Sequence, residues 1–172
     1  MMLAFKRAAT AAEREGDAAK IFSLGIAKVT GGEFSHVEAV LDRNDNGSYR
    51  CFSAREPDGT NFADIDLSDA SLWAVVNLPT SPSQNERILA WCQGRRGRRY
   101  NFSGIEGILL GRAITDSHDD FCSQCCTELL QDNLGLWTGL PPYWVAPSGW
   151  RNDPRRRGLF ELVSGTQSWP PK

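Results

Sequence analysis

The chain has 172 residues, of which 41% are hydrophobic and 23% charged, with a formal net charge of −2. That length suits one domain with its own core, and the composition excludes disordered and fibrous classes. A charge so near neutral supplies no whole-protein field for nucleic acid or an anionic membrane, and neither is expected as a partner.

Lys6 and Arg7 interrupt the apolar start of the chain, and Glu13 and Glu15 follow. No signal peptide or membrane span is therefore expected, and a cytoplasmic location follows. Residues 3–20, rich in Ala, Glu, Lys and Arg, are predicted helical, and 21–29 form a second short helix stopped by Gly31-Gly32. Two strands, 35–42 and 48–54, flank Asn44-Asp45-Asn46-Gly47, a strong hairpin signal. Residues 55–70, with Asp, Gly and Pro, read as a loop, and 72–78 as a third strand. Ser83-Gln84-Asn85-Glu86 has capping-box spacing and predicts a helix with Ile88, Leu89 and Cys92 on one face, closed by Gly94. Residues 100–120 are irregular, with a short helix near 105–110, and 122–134 is a helix. The Pro-rich remainder is loop with a last short strand at 159–163 and a loose tail at 164–172. The order predicts an α+β fold, helices on a small antiparallel sheet, in a single domain (1–172) whose core spans about 20–163.

Arg95-Arg96-Gly97-Arg98-Arg99 and Arg155-Arg156-Arg157 are basic clusters that could hold phosphate. Neither is interleaved with stacking aromatics, so solvated surface beside a turn is the preferred reading. The five cysteines (51, 92, 122, 125 and 126) are odd in number, which argues for reduced thiols over a disulfide framework.

Helix 122–134 carries the chemistry. Cys126, Leu129 and Leu130 define its buried face, and Cys122 falls within about 40° of that centre, on the first turn. First-turn N–H groups favour an anion, acidify a thiol and can stabilise an oxyanion. The competing reading is a small buried hydrophobe. Cys125 and Cys126 read as structural. Only His36 and His118 can pair with a thiol. Strand alternation puts His36, Glu38 and Val40 on one face, and a two- or four-residue turn brings Ser53 and Arg55 onto it. A solvated sheet face would also explain that polar row. His118 beside Cys122-x-x-Cys125 suggests zinc, but no second Cys or His pair completes a tetrahedral site, so no metal is expected.

Three segments together carry a resemblance: Gly32-x-x-Ser35-His36-Val37, Gly97-x-x-Tyr100-Asn101-Phe102, and Phe121-Cys122-Ser123-Gln124. They resemble the permuted papain-like hydrolases, the YiiX-type relatives of NlpC-type cell-wall peptidases and of lecithin:retinol acyltransferase. In the permuted group the histidine precedes the cysteine, as His36 precedes Cys122 here. The resemblance covers roughly residues 20 to 150 and implies a permuted papain-like fold with Cys122 as nucleophile, His36 as base and Tyr100 lining the cleft. The orienting third residue departs from the family pattern. Glu38 stands where a Gly is frequent, and Ser53 approximates a polar position on the next strand. Glu38 is favoured, because a carboxylate orients an imidazole and stabilises its cation. Same-face neighbours on a strand are nevertheless about 7 Å apart. Ser53 is then expected to line the substrate site.

The resemblance implies a thiol hydrolase with a thioacyl intermediate and no cofactor, acting on a peptide, peptidoglycan or acyl-ester carbonyl. Similar small proteins are frequent in bacteriophage genomes, so a host cytoplasm or phage particle is the implied location. The alternative is a non-catalytic binding or phage-particle protein that retained the fold.

Overall fold

The computed structural model describes residues 1–14, 16, 23–28, 32–110, 119–149 and 161–162. Strand β1 (Met2–Arg7) leads into helix α1 (Ala8–Arg14), and residues 23–28 form helix α2. Strands β2 (Phe34–Arg43), β3 (Tyr49–Arg55), β4 (Gly59–Ile65) and β5 (Trp73–Asn77) follow, then helix α3 (Pro82–Arg95). A short strand β6 (Arg99–Tyr100) precedes helix α4 (Phe102–Leu110), and β7 (Asp119–Asp120) precedes helix α5 (Cys122–Leu134). A 3-10 turn at Pro142–Trp144 and strand β8 (Glu161–Leu162) complete the described elements. The main sheet is antiparallel in the order β4-β3-β2-β1-β5-β8, and β6 and β7 form a separate parallel pair. The architecture is α+β, and no described helix is long and apolar enough to cross a membrane.

The largest departure from expectation is β1. Residues 2–7 are not helical but form an inner strand, paired with β2 from Met2↔Val40 and with β5 from Met2↔Asn77. Leu3 and Phe5 join the core beneath the helices, while Ala4 joins the core on the opposite face. With both edges paired and both faces covered, tertiary context overrides the helix propensity of an Ala/Lys/Arg-rich stretch. Only 8–14 of the predicted first helix is helical among the described residues, and Leu3, Ala4, Phe5, Ala8, Ala11 and Ala12 are buried, so the core begins before residue 20.

Residues 59–65 are likewise a strand rather than loop, paired with β3 from Tyr49↔Ile65 to Arg55↔Gly59. Asn61 and Asp64 are poor strand formers, tolerated because β4 is an edge. Gly59 has φ +68°, and a Cβ there would stand 1.9 Å from the Arg98 carbonyl oxygen. That close approach lets Thr60 N–H donate to the Arg98 carbonyl at 2.9 Å, while its own carbonyl accepts from Gly97 N–H at 2.8 Å.

Helix α3 starts two residues earlier than the capping signal suggested. Ser81 is its cap, accepting from Gln84 N–H at 3.3 Å while Gln84 Oε1 accepts from Ser81 N–H at 2.8 Å, with Pro82 at the first helical position. The helix also continues through Gly94 to Arg95. Ile88 and Cys92 face the core, with Leu89 at its margin.

The first basic cluster is not simply solvated surface. Arg95 is largely buried, lies 4.4 Å from the Trp91 ring centre, and donates to Asp120 at 3.4 Å and to Glu128. Arg98 reaches Asp120 at 3.7 Å, and exposed Arg99 pairs with Asp119 at 3.3 Å. These cations are spent on carboxylates in β7 and α5, so they tie α3 to the segment that introduces Cys122. The second cluster, 155–157, lies outside the described residues.

Helices α3 and α5 cover one face of the sheet, with Ile88, Cys92, Cys126, Leu129 and Leu130 against Leu3, Val37, Ala39 and Phe52. Each fully buried Leu, Val or Phe contributes about 1.5–3 kcal/mol. Val40, Cys51, Leu67, Trp73 and Val75 form a smaller core on the other face.

Candidate active site

Helix α5 begins at Cys122 and ends at Gly135, which has φ +63°. Phe121 precedes it in extended conformation and provides no side-chain cap, so the first-turn N–H groups are not consumed by one. Cys122 is 2% exposed and belongs to the same core cluster as Cys126, Leu129 and Leu130. The helical periodicity had placed it there.

His36 reaches this terminus from β2. Its register partner on β1 is Lys6, and the next pair is Arg7↔Phe34, so a bulge at Ser35 precedes it. The body of α5 packs on the Val37 and Ala39 side, whereas alternation puts His36 and Glu38 with Val40 and Cys51 on the other. Yet the His36 ring and the Cys122 thiol interact. The local backbone accounts for this. A bulge bends its strand and re-aims side chains. In addition, the β2–β3 ladder runs from Ala39↔Phe52 to Arg43↔Tyr49, and nearer His36 it is the Ser53 hydroxyl that donates to the Val37 carbonyl, at 2.7 Å. Ser148 secures the start of β2: its hydroxyl accepts from Phe34 N–H and donates to the Phe34 carbonyl, both at 3.0 Å. No local sequence signal announces that distant tie.

His36 Nε2 lies 2.8 Å from Glu38 Oε1. The roughly 7 Å between same-face strand neighbours is thus spanned by the two side chains meeting end to end. Glu38 is 1% exposed, and Arg55 surrounds its carboxylate, Nε donating to Oε1 at 2.8 Å and Nη2 to Oε2. Arg55 Nη1 donates to the Asn61 carbonyl at 2.8 Å. Buried charges persist when paired and hydrogen-bonded, and the planar guanidinium fits a carboxylate in this way.

Ser53 does not line a cleft. It shares the expected face, but it is wholly buried and its hydroxyl is committed to the Val37 carbonyl. A strand hydroxyl satisfies a main-chain acceptor where the ladder opens, so its contribution is structural and the substrate-binding expectation is corrected.

Tyr100 is brought to Cys122. Burial, then the charge of Cys122 and then Glu56, raise its hydroxyl well above the ordinary range, and its ring meets Phe102 edge-on with centres 4.9 Å apart. Asn101 Oδ1 accepts from Gly104 N–H at 2.7 Å and caps α4. A Cβ on Gly104 would come within 2.8 Å of the Phe121 ring, so glycine lets α4 press against the residue preceding Cys122.

Burial pulls the His36 ring toward neutrality. Attraction to Cys122, the hydrogen bond to its sulfur, and the hydrogen bond and charge of Glu38 outweigh it and raise the pKa from 6.5 to about 9. The imidazole therefore carries its proton at neutral pH. Because the folded value is the higher one, this charge contributes stability that is complete below the unfolded value near 6.5 and is lost as pH rises through about 9. Urea titrations between these limits are expected to show declining stability in the native chain and a flatter profile in His36→Ala.

The other four thiols are buried and free. Burial raises Cys51, Cys125 and Cys126 well above the ordinary thiol range and Cys92 to about 12. Among the described residues, no group of three or more His, Cys, Asp or Glu is placed to hold a metal ion, and His118 lies outside them.

The site therefore joins Cys122, His36, Glu38 and Arg55, with Tyr100 alongside. No family model matches the chain, and no curated protein does either.

Proposed function

We propose that the protein is a cysteine hydrolase of the permuted papain-like kind, with Cys122 as nucleophile, His36 as acid–base group and Glu38 as orienting residue. One observation carries this reading: a thiol on the first turn of a helix interacts with an imidazole whose Nε2 is held by a buried carboxylate. That is the arrangement by which a weak nucleophile is activated and its base kept in register.

In the proposed reaction, His36 holds the proton given up by Cys122 and the thiolate sulfur attacks a carbonyl carbon. First-turn N–H groups of α5 face the developing oxyanion. His36 returns the proton to the leaving amine or alcohol as its bond to carbon breaks, giving a thioacyl enzyme. Water then attacks, with His36 as base, to release the acid and restore the thiol. Peptide, peptidoglycan and acyl-ester carbonyls all fit these steps.

Incubation with p-nitrophenyl acetate followed by mass mapping tests the proposal. An acetyl group on Cys122, with nitrophenol release lost in Cys122→Ala, is the expected result. Acetylation spread over several residues, or release unchanged in that variant, would contradict it.

A further inference from the structure

Arg55 was legible in the sequence only as a member of a polar row, and the reaction as written gives it no part. Its placement asks for one. Three of its nitrogens are committed: Nε at 2.8 Å and Nη2 to the two Glu38 oxygens, and Nη1 at 2.8 Å to the Asn61 carbonyl on β4. The side chain is only 20% exposed and its partner carboxylate 1%. We propose that Arg55 is a positioning residue, which keeps the Glu38 carboxylate turned toward His36 and balances the charge of a buried Cys122–His36–Glu38–Arg55 cluster.

This inference rests on the hydrolase reading. With Cys122 as thiolate and His36 as imidazolium, the four groups carry two negative and two positive charges. Burying an excess charge is costly, so a balanced cluster holds its ion pair where an unbalanced one would take up or release a proton. The fork geometry adds direction: by occupying both carboxylate oxygens, Arg55 fixes the plane in which Oε1 meets the imidazole. The edge strand β4 acquires a purpose as well, because it supplies the carbonyl that anchors the guanidinium.

The other titratable neighbours do not upset the balance. Cys51 on β3 and Cys126 on α5 interact with Glu38, and Tyr100 on β6 interacts with Cys122, but burial holds each in its neutral form. Lys6, opposite His36 in the β1–β2 register, is partly exposed. Glu56 and Asp64 act on Tyr100 and Cys51, the former as the last contribution to Tyr100 and the latter as the last to Cys51.

Removing the guanidinium alone leaves one surplus negative charge. Loss of a neighbouring cation disfavours every further loss of a proton in the cluster, so the thiolate forms at higher pH and the acid limb of the activity profile moves up.

The test is the pH dependence of kcat/KM for p-nitrophenyl acetate in the full chain. Arg55→Gln is expected to move the acid limb up by about one pH unit or more. Arg55→Lys, which keeps the charge and loses the fork, should hold the acid limb near its native position at a lower rate. The Glu38→Gln/Arg55→Gln double variant, again balanced, should have its acid limb below that of Arg55→Gln alone. A native acid limb in Arg55→Gln, with only thermal stability reduced, would overturn the inference, as would a double variant whose acid limb is no lower than that of the single one. If Arg55→Gln does not fold, the lysine and double variants decide: an upward-shifted acid limb in Arg55→Lys, or a double variant whose acid limb lies well above that of Arg55→Lys, counts against the proposal. Absence of Cys122-dependent turnover in the native chain would instead sink the hydrolase reading itself.

Discussion

Replacing His36 with alanine is expected to lower Cys122-dependent turnover of p-nitrophenyl acetate by about 10³-fold or more, with the fold retained. The imidazole performs two tasks in the proposed reaction, accepting the thiol proton and delivering one to the leaving group. It also activates the water in the second half. Its side chain is 18% exposed at the mouth of the bulge, and it bonds chiefly to Glu38 and Cys122. Truncation therefore removes chemistry while leaving the main core in place. Parallel circular dichroism and steady-state kinetics check this, and turnover within a few-fold of native would remove His36 from the mechanism.

Leu3→Ala is expected to cost about 2–5 kcal/mol of stability, measured by urea unfolding. The side chain is fully buried on an inner strand, in the cluster that includes Val37, Phe52 and the buried face of α5. Were residues 3–20 the surface helix that their composition suggests, the same change would fall within about 0.5 kcal/mol. Kinetic effects should accompany the loss, since β1 is the strand against which His36 is registered through Lys6.

The contrast between β1 and α5 explains what could be read in advance. Helix α5 follows its periodicity because burial of one stripe, the first-turn thiol and the terminal glycine all agree, and its limits match expectation. The β2–β3 hairpin is similarly local, specified by Asn46-Gly47 and two alternating runs, but its turn pairs Arg43 with Tyr49, and only the register shift between Val40 and Asp42 puts Ser53 and Arg55 on the face of His36 and Glu38. Strand β1 obeys no such local rule. Its conformation comes from partners about 35 and 70 residues away, so propensity pointed to a helix. Strand β4 was hidden for a related reason, since an edge strand need not be apolar.

Within the site, identity was more legible than role. Cys122, His36 and Glu38 came from residue type and spacing together with the resemblance, while the choice of Glu38 over Ser53 needed the opened ladder at Val37. Arg55 could be placed on the right face, but its grip on Glu38 depends on β4, which the sequence concealed. Ser148, bonded to both main-chain groups of Phe34, has no signature at all in the residues around it.

Chloroacetamide labelling at pH 6, with mass mapping of all five cysteines, tests most directly whether Cys122 and His36 form a reactive pair. Cys51, Cys92, Cys125 and Cys126 are buried and held as thiols. Cys122 alone has a protonated imidazole partner and a helix terminus beneath it. Rapid labelling confined to Cys122, with its pH dependence displaced upward in His36→Ala, is the predicted result. Equal labelling of Cys122 and the other thiols at pH 6, unaffected by loss of His36, would contradict the account.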